Sequence, residues 1–253
     1  MMQRLSGAFA MAALAASPIA LADLPAKARM PVLVELFTSE GCSSCPPADR
    51  LLESLDRDQP VSGAEIVVLS EHVDYWDEGG WKDPFSSPEF TRRQQTYVRQ
   101  FRLNSAYTPQ MVVDGQAEFV GGDAARAREL IAKAARLPKT PLQLEVVERL
   151  DSRVTMRVGV ESKASSEATL LVALAESHVE SHVSGGENSK RQLRHVAAAR
   201  SLVAAGTLKA GDSLSRQVNL DIPRGAGKGG LRVVAFLQDR ASGRLLGVRQ
   251  LEL

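Results

Sequence analysis

The sequence predicts two folded parts in one chain: an α/β domain over residues 23–137, then a β-rich, sandwich-like domain over residues 142–253. Three observations predict this. Apolar, β-branched runs of strand length alternate with helical patterns as far as residue 137. A short stiff connector, Pro138-Lys139-Thr140-Pro141, follows at 138–141. Beyond it, strand-like runs recur with loops between them, the pattern of a sandwich.

The chain opens with one positive charge, Arg4, then a small-residue apolar run over 5–16 and Ala20-Leu21-Ala22, a small-x-small cleavage pattern. Residues 1–22 therefore read as a signal peptide, with the mature protein starting near Asp23 in the periplasm or outside the cell. No later stretch reaches the roughly 18–20 apolar residues of a membrane-spanning helix, so no span is expected after cleavage. The 31 basic and 30 acidic residues give a formal charge of +1, which falls to zero without Arg4. Neither nucleic acid nor anionic lipid is expected as a partner.

Residues 31–37 (PVLVELF) form the first predicted strand, and Thr38-Ser39-Glu40-Gly41 its terminating turn. Pro46-Pro47 opens a helix with Leu51, Leu52 and Leu55 on one face. Residues 64–70 (AEIVVLS) are a second buried strand, making a right-handed parallel unit. After a polar and aromatic connection over 72–84, Ser87-Pro88 caps and starts a helix whose apolar face is Phe90, Tyr97, Val98 and Phe101. Residues 110–113 and 118–120 flank Asp114-Gly115, a hairpin signal. Asp123 caps a helix with Ala127, Leu130, Ile131 and Ala134 on one face. Later strands are predicted at 142–147, 154–160, 169–175, 231–237 and 245–251, with Ala241-Ser242-Gly243 turning the last hairpin.

The chain has two cysteines, Cys42 and Cys45, between the first strand and its helix. A structural disulfide closing so short a loop contributes only about 2 kcal/mol in the chain-entropy model. A metal site needs two ligands more, with only His72, His178, His182 and His195 to supply imidazole. A redox pair is the reading that position favours, and it calls for no cofactor.

The segment PVLVELFTSEGCSSC, a helix, a second strand, and Thr108-Pro109 ahead of a hairpin resemble the thioredoxin superfamily over residues 30–137. More closely, LFTSEGCSSCPPAD, VDYWD, GWKDPFSSPEF, YTPQMVVDG and GENSKRQLRHVAAARSL are similar to a bacterial secreted family known as domain of unknown function twelve twenty-three. The superfamily resemblance implies a thioredoxin-like N-terminal fold, a thiol-disulfide oxidoreductase activity, and protein thiols or disulfides as partners. It makes Cys42 the exposed nucleophile, Cys45 the resolving thiol and Pro109 a cis-proline facing them, with Thr108 presenting backbone to substrate. Two features depart from the superfamily: Pro46-Pro47 directly after the pair, and the acidic neighbours Glu40 and Asp49, which oppose thiolate formation and favour a reductant or isomerase-like role. The alternative is a non-catalytic binding or assembly protein with an inert disulfide.

Glu35 lies seven positions before Cys42. It is either a buried acid relaying the resolving thiol's proton, as the resemblance implies, or an exposed strand residue. His72, Asp74, Tyr75, Trp76 and Trp81 crowd one loop, where Trp76 and Trp81 either contact substrate or pack over a core edge. His178 and His182 read as exposed loop residues, and His195 as part of a basic stretch over 190–200 without assignable chemistry.

Overall fold

A computed structural model describes residues 29–160 and 166–253; the expected signal peptide, 1–22, lies outside them. The first strand, β1 (Met30–Thr38), pairs in parallel with β2 (Ala64–His72). Helix α1 (Pro46–Asp58) crosses between them. Its two prolines occupy the first turn, where the missing N–H groups have no intrahelical partner in any case. It ends at Gln59, whose side-chain amide donates to the Ile66 carbonyl (2.8 Å) and accepts from the Ile66 N–H (2.8 Å). That pair locks the helix exit onto β2.

Helix α2 (Pro88–Phe101) starts where Ser87 accepts from the Glu89 N–H, and α3 (Ala124–Ala134) where Asp123 accepts from the Arg126 N–H. Their buried faces follow the apolar spacing at Phe90, Tyr97 and Val98, then at Ala127, Leu130, Ile131 and Ala134, but Phe101, also expected inside, is only half-buried and Gln94 is buried in the α2 face. Strands β3 (Gln110–Val113) and β4 (Ala117–Val120) form the hairpin, with Asp114 and Gly115 at φ 57° and 64°. They are the two central residues of the turn over 113–116, closed by the Gln116 N–H donating to the Val113 carbonyl (3.0 Å), and two positive φ angles in succession give that turn a twist matching the strands.

Among the described residues seven strands follow: β5 (Leu142–Leu150), β6 (Arg153–Val160), β7 (Ala168–His182), β8 (Gln192–Leu208), β9 (Leu214–Asp221), β10 (Leu231–Asp239) and β11 (Leu245–Glu252). They do not form a separate sandwich. One mixed eight-stranded sheet runs β11-β10-β7-β8-β2-β1-β3-β4, and only β5-β6-β9 make a second, three-stranded sheet. The expected architecture, a thioredoxin-like α/β domain followed by an independent β domain, is therefore wrong. Its overturning contact is the parallel pairing of β8 with β2 through Ser70 and Ala198, which fuses both halves into one strand-dominated fold.

The reason lies in β8. Its segment VAAARSLVAAG is rich in alanine, which has low strand propensity, so nothing local marks it as the seam. Burial on both faces supplies what propensity does not. In β10, Val233, Ala235 and Leu237 face the three-stranded sheet, while Val234 and Phe236 join the core that also holds Val32, Leu52 and Ile66. That alternation makes one core continuous across both halves of the chain. The connector at 138–141 is clamped as well: Lys139 pairs with Asp114 and donates to the Leu245 carbonyl (2.8 Å), and the Thr140 N–H donates to Leu246 (2.6 Å).

Candidate functional site

Cys42 and Cys45 are joined by a disulfide at the point where β1 hands over to α1. Two tight turns shape the loop, with the Cys42 N–H donating to the Ser39 carbonyl and the Cys45 N–H to the Cys42 carbonyl, both at 3.2 Å. Cys45 is the N-cap of α1, and its carbonyl accepts from the Ala48 and Asp49 amides. The pair thus meets the positive end of a helix, though Pro46 and Pro47 remove two of the amides that would face it.

Neither cysteine is exposed: both have 0% relative accessibility, while Ser43 and Ser44 between them are at the surface. The expectation of an exposed Cys42 is corrected by the tip of the β7–β8 hairpin, residues 183–191, which folds over the loop. Asn188, itself fully buried, donates to the Glu40 carbonyl (2.8 Å) and the Cys42 carbonyl (2.9 Å). Glu187 accepts from the Ser43 N–H at 2.9 Å. The tip lies so close to the turn at 79–80 that a Cβ on Gly185 would stand 2.2 Å from the Gly80 carbonyl oxygen. Only glycine permits that approach.

Beneath this cover lies a buried ionisable cluster. His195, carried by β8, faces Glu40 (Nε2 to Oε1, 3.4 Å) and Asp49 (Nδ1 to Oδ1, 3.6 Å). Burial alone would lower its pKa, but the carboxylates of Asp49 and Glu40 outweigh burial and raise it to about 10. Glu40 also accepts from the Trp81 indole N–H (2.7 Å), and Asp49 from the Thr38 hydroxyl (3.0 Å). His72 stands edge-on to His195 at 4.6 Å between ring centres and pairs with Asp83 at 2.7 Å. Burial opposes ionisation of Asp83, yet His72 and the Glu40 and Phe85 amides hold its pKa down at about 2.

The structure gathers most of the residues the sequence singled out. The Thr108–Pro109 peptide is cis. Pro109 and Ala48, in the first turn of α1, both press on Gly121, where a Cβ would lie 3.3 and 3.0 Å from them. Trp76 donates its indole N–H to Thr108 (2.8 Å) and packs against Gly41, the residue before Cys42. Trp81 holds Glu40 and lies under the hairpin tip.

Glu35 is not in this group. It is fully buried, so the exposed alternative falls, but it points away from the disulfide. Thr38 of β1 reaches Asp49 on α1, and Glu35, three residues earlier, takes the opposite face. There it binds Arg93 and Tyr97 of α2, each at 2.5 Å. A proton relay from Glu35 to Cys45 is therefore ruled out by the pleat, and the titratable groups held around the loop of the pair are Glu40, Asp49 and His195 beneath it and Glu187 on Ser43 above it. His178 and His182 are exposed as expected, but on β7 and not in a loop.

Sequence reasoning passed over His195 and Asn188. A signal for His195 existed: Gln192, Leu193, Arg194 and His195 alternate out and in, which places His195 at an inward position. Among the described residues no group of three or more His, Cys, Asp or Glu is arranged to hold a metal ion, and no helix is long and apolar enough to cross a membrane.

Comparison with known proteins fits this geometry to a family. The sequence profile described as "Protein of unknown function (DUF1223)" matches residues 33–238, from β1 through β10. The crystal structure of protein AGR_C_4864 from Agrobacterium tumefaciens is similar at 26% identity and a TM-score of 0.64, covering 87% of this chain and 93% of that one. HBP35 of Porphyromonas gingivalis is similar at 15% identity and a TM-score of 0.62, covering 89% of this chain and 76% of that one, a likeness of fold alone. No curated protein matches the chain.

Proposed function

The chain belongs to the DUF1223 family, and since that membership carries no activity, we propose from the site alone that the protein exchanges thiols and disulfides through Cys42 and Cys45 in an exported compartment. The observation that carries this reading is the cluster of Glu40, Asp49 and His195 beside the disulfide. Buried ionisable groups are costly to hold, and packing around an inert disulfide does not call for them. The signal-like run at 1–22 supports export, where disulfides persist.

In the exchange, a partner thiolate attacks Sγ of Cys42 once the hairpin tip has moved aside. The Cys42–Cys45 bond breaks, its electron pair leaves on Sγ of Cys45, and that sulfur takes a proton. A second partner thiol then attacks its own sulfur in the mixed disulfide and expels Cys42 as a thiol. Two partner thiols become a disulfide, the couple becomes two thiols, and the reverse sequence reduces a partner. Cys42 is the sulfur attacked because displacement of Asn188, which bonds its carbonyl, uncovers that end of the loop. Three carboxylates, Glu40, Asp49 and Glu187, against the His195 imidazolium leave negative charge around the pair, which disfavours thiolates and shifts the couple toward the reducing side.

Burial favours a second reading, a non-catalytic binding or assembly protein with an inert disulfide, since both cysteines are covered. Equilibration of the mature chain in glutathione buffers separates the two. A potential between about −270 and −120 mV supports exchange, and one below about −300 mV assigns a structural bond. Trapping adds a second test: Cys45→Ala is expected to accumulate mixed disulfides on Cys42, and Cys42→Ala few. If neither variant captures a partner, the binding reading replaces exchange.

A further inference from the structure

The loop between β9 and β10 reads Pro223-Arg224-Gly225-Ala226-Gly227-Lys228-Gly229-Gly230, with glycines interleaved between two cations. Gly225, Gly227 and Gly230 take φ of 80°, 87° and 91°, which lets the loop lie flat on β7. The Gly227 N–H donates to Glu176 (2.9 Å), the Gly230 carbonyl accepts from the Ser177 N–H (3.0 Å), and a Cβ on Gly229 would stand 2.0 Å from the His178 carbonyl oxygen. Arg224 and Lys228 are left exposed over a cleft of about 580 Å³ between this loop, β7 and Pro84-Phe85.

The charge in this cleft is not balanced. Elsewhere several surface arginines pair with acids, as Arg153 does with Asp221 and Arg240 with Glu167. Among the described residues Arg224 and Lys228 enter no such pair. A third cation, Arg200, lies 5.2 Å over the Phe85 ring and donates to the Pro84 carbonyl (3.0 Å). The two acids that line the cleft are already engaged: Glu176 by Gly227 and Arg200 (3.7 Å), and Glu180 by Arg194 (2.9 Å). Phe85, Pro84 and Val179 add an apolar wall.

We propose that this cleft binds a small organic anion, a carboxylate or a phosphate or sulfate ester on an apolar body, with Arg224 and Lys228 taking the charge and Phe85 the body. The volume falls inside the roughly 300–1,000 Å³ of small-molecule sites, and cations beside an aromatic floor select an amphipathic anion over a free ion. The cleft makes no use of the thiols of Cys42 and Cys45, although the inner edge of Phe85 packs against His72 and His195, at 5.4 and 5.9 Å between ring centres.

The test is calorimetric titration of the mature chain with phenyl phosphate, phenylacetate, inorganic phosphate and benzyl alcohol. One saturable site is expected for phenyl phosphate or phenylacetate, and the tighter of the two identifies the head group. Inorganic phosphate should bind at least about tenfold more weakly, and benzyl alcohol should not bind. Arg224→Gln with Lys228→Gln, both at exposed positions, should weaken the organic anions at least about tenfold. Phe85→Leu should weaken them severalfold while leaving inorganic phosphate unchanged. No saturable binding of either organic anion up to about 10 mM, or binding that survives the double substitution, overturns the proposal.

Discussion

Two buried ionic clusters flank β1 on opposite faces, and they differ in how tightly they are closed. On the α2 face, Glu35 is bound by Arg93 and by the Tyr97 hydroxyl at 2.5 Å each, and Arg93 also reaches Tyr97 (2.9 Å) and Gln238 (3.2 Å). Glu71, 3.4 Å from Arg93, has its carboxyl pushed well up by burial and by the Glu35 carboxylate. On the α1 face, His195 stands 3.4 and 3.6 Å from its carboxylates, beyond ordinary hydrogen-bond length. The closed cluster behaves as a staple between α2 and the sheet. The open one leaves a charged ring able to respond to what happens at the disulfide.

The sharpest way to break this contrast is to remove a charge from each side. Arg93→Met strands Glu35 beside Glu71 in the core and should cost about 3–5 kcal/mol in urea unfolding. A loss under about 1 kcal/mol would show that the α2 cluster is no staple.

His195→Gln should cost less, roughly 2–3 kcal/mol at pH 6, because Glu40 and Asp49 keep neutral donors in Trp81 and Thr38. Its signature is the pH profile. The folded pKa of His195, about 10, lies above the ordinary 6.5. Its stabilisation is therefore complete below about pH 6.5 and declines until it vanishes above about pH 10. The stability gap between wild type and variant should close over that window, and a gap that stays constant would mean that His195 carries no buried charge.

Asn188→Ala tests the cover. Loss of the two buried hydrogen bonds it donates, and of the one it accepts from Arg191 (2.9 Å), should cost about 1–2 kcal/mol, and dithiothreitol should reduce the disulfide at least about fivefold faster, since the hairpin tip opens more often. An unchanged reduction rate in a variant that is measurably destabilised would show that the tip does not control access.

Much of this was legible in the chain and some was not, for physical reasons. The three helices announce themselves through caps and apolar spacing, as at Ser87 and Asp123. Strands such as β1 and β2 are β-branched and continuous. β8 and β9 escape because one is alanine-rich and the other, LSRQVNLD, is mostly polar and exposed. The fusion of the sheets rests on β8 alone, so missing it turns one core into two. The site divides in the same way. Cys42, Cys45, Pro109, Trp76 and Trp81 are visible as motifs near one another in sequence, whereas His195 and Asn188 reach the disulfide only because β7 and β8 return to β2.

The smallest expected effect decides which face of β1 matters to the sulfurs. Glu35 and Asp49 are both buried carboxylates near the start of the fold, and only the pleat separates their roles. Asp49 lies one helical turn after Cys45, on the α1 face of β1, where its carboxylate binds the Thr38 hydroxyl and faces His195. Asp49→Asn removes negative charge there, favours the thiolate of the reduced form, and should make the potential less negative by up to about 30 mV. Glu35→Gln should leave the potential unchanged within about 10 mV, even though it loosens the α2 cluster and lowers stability. Both are read in the same glutathione equilibration, with unfolding measured in parallel so that a stability loss is not mistaken for a redox effect. A shift with Glu35→Gln and none with Asp49→Asn would place the groups that govern the couple on the α2 face and undo the assignment of Glu40, Asp49 and His195 to the site.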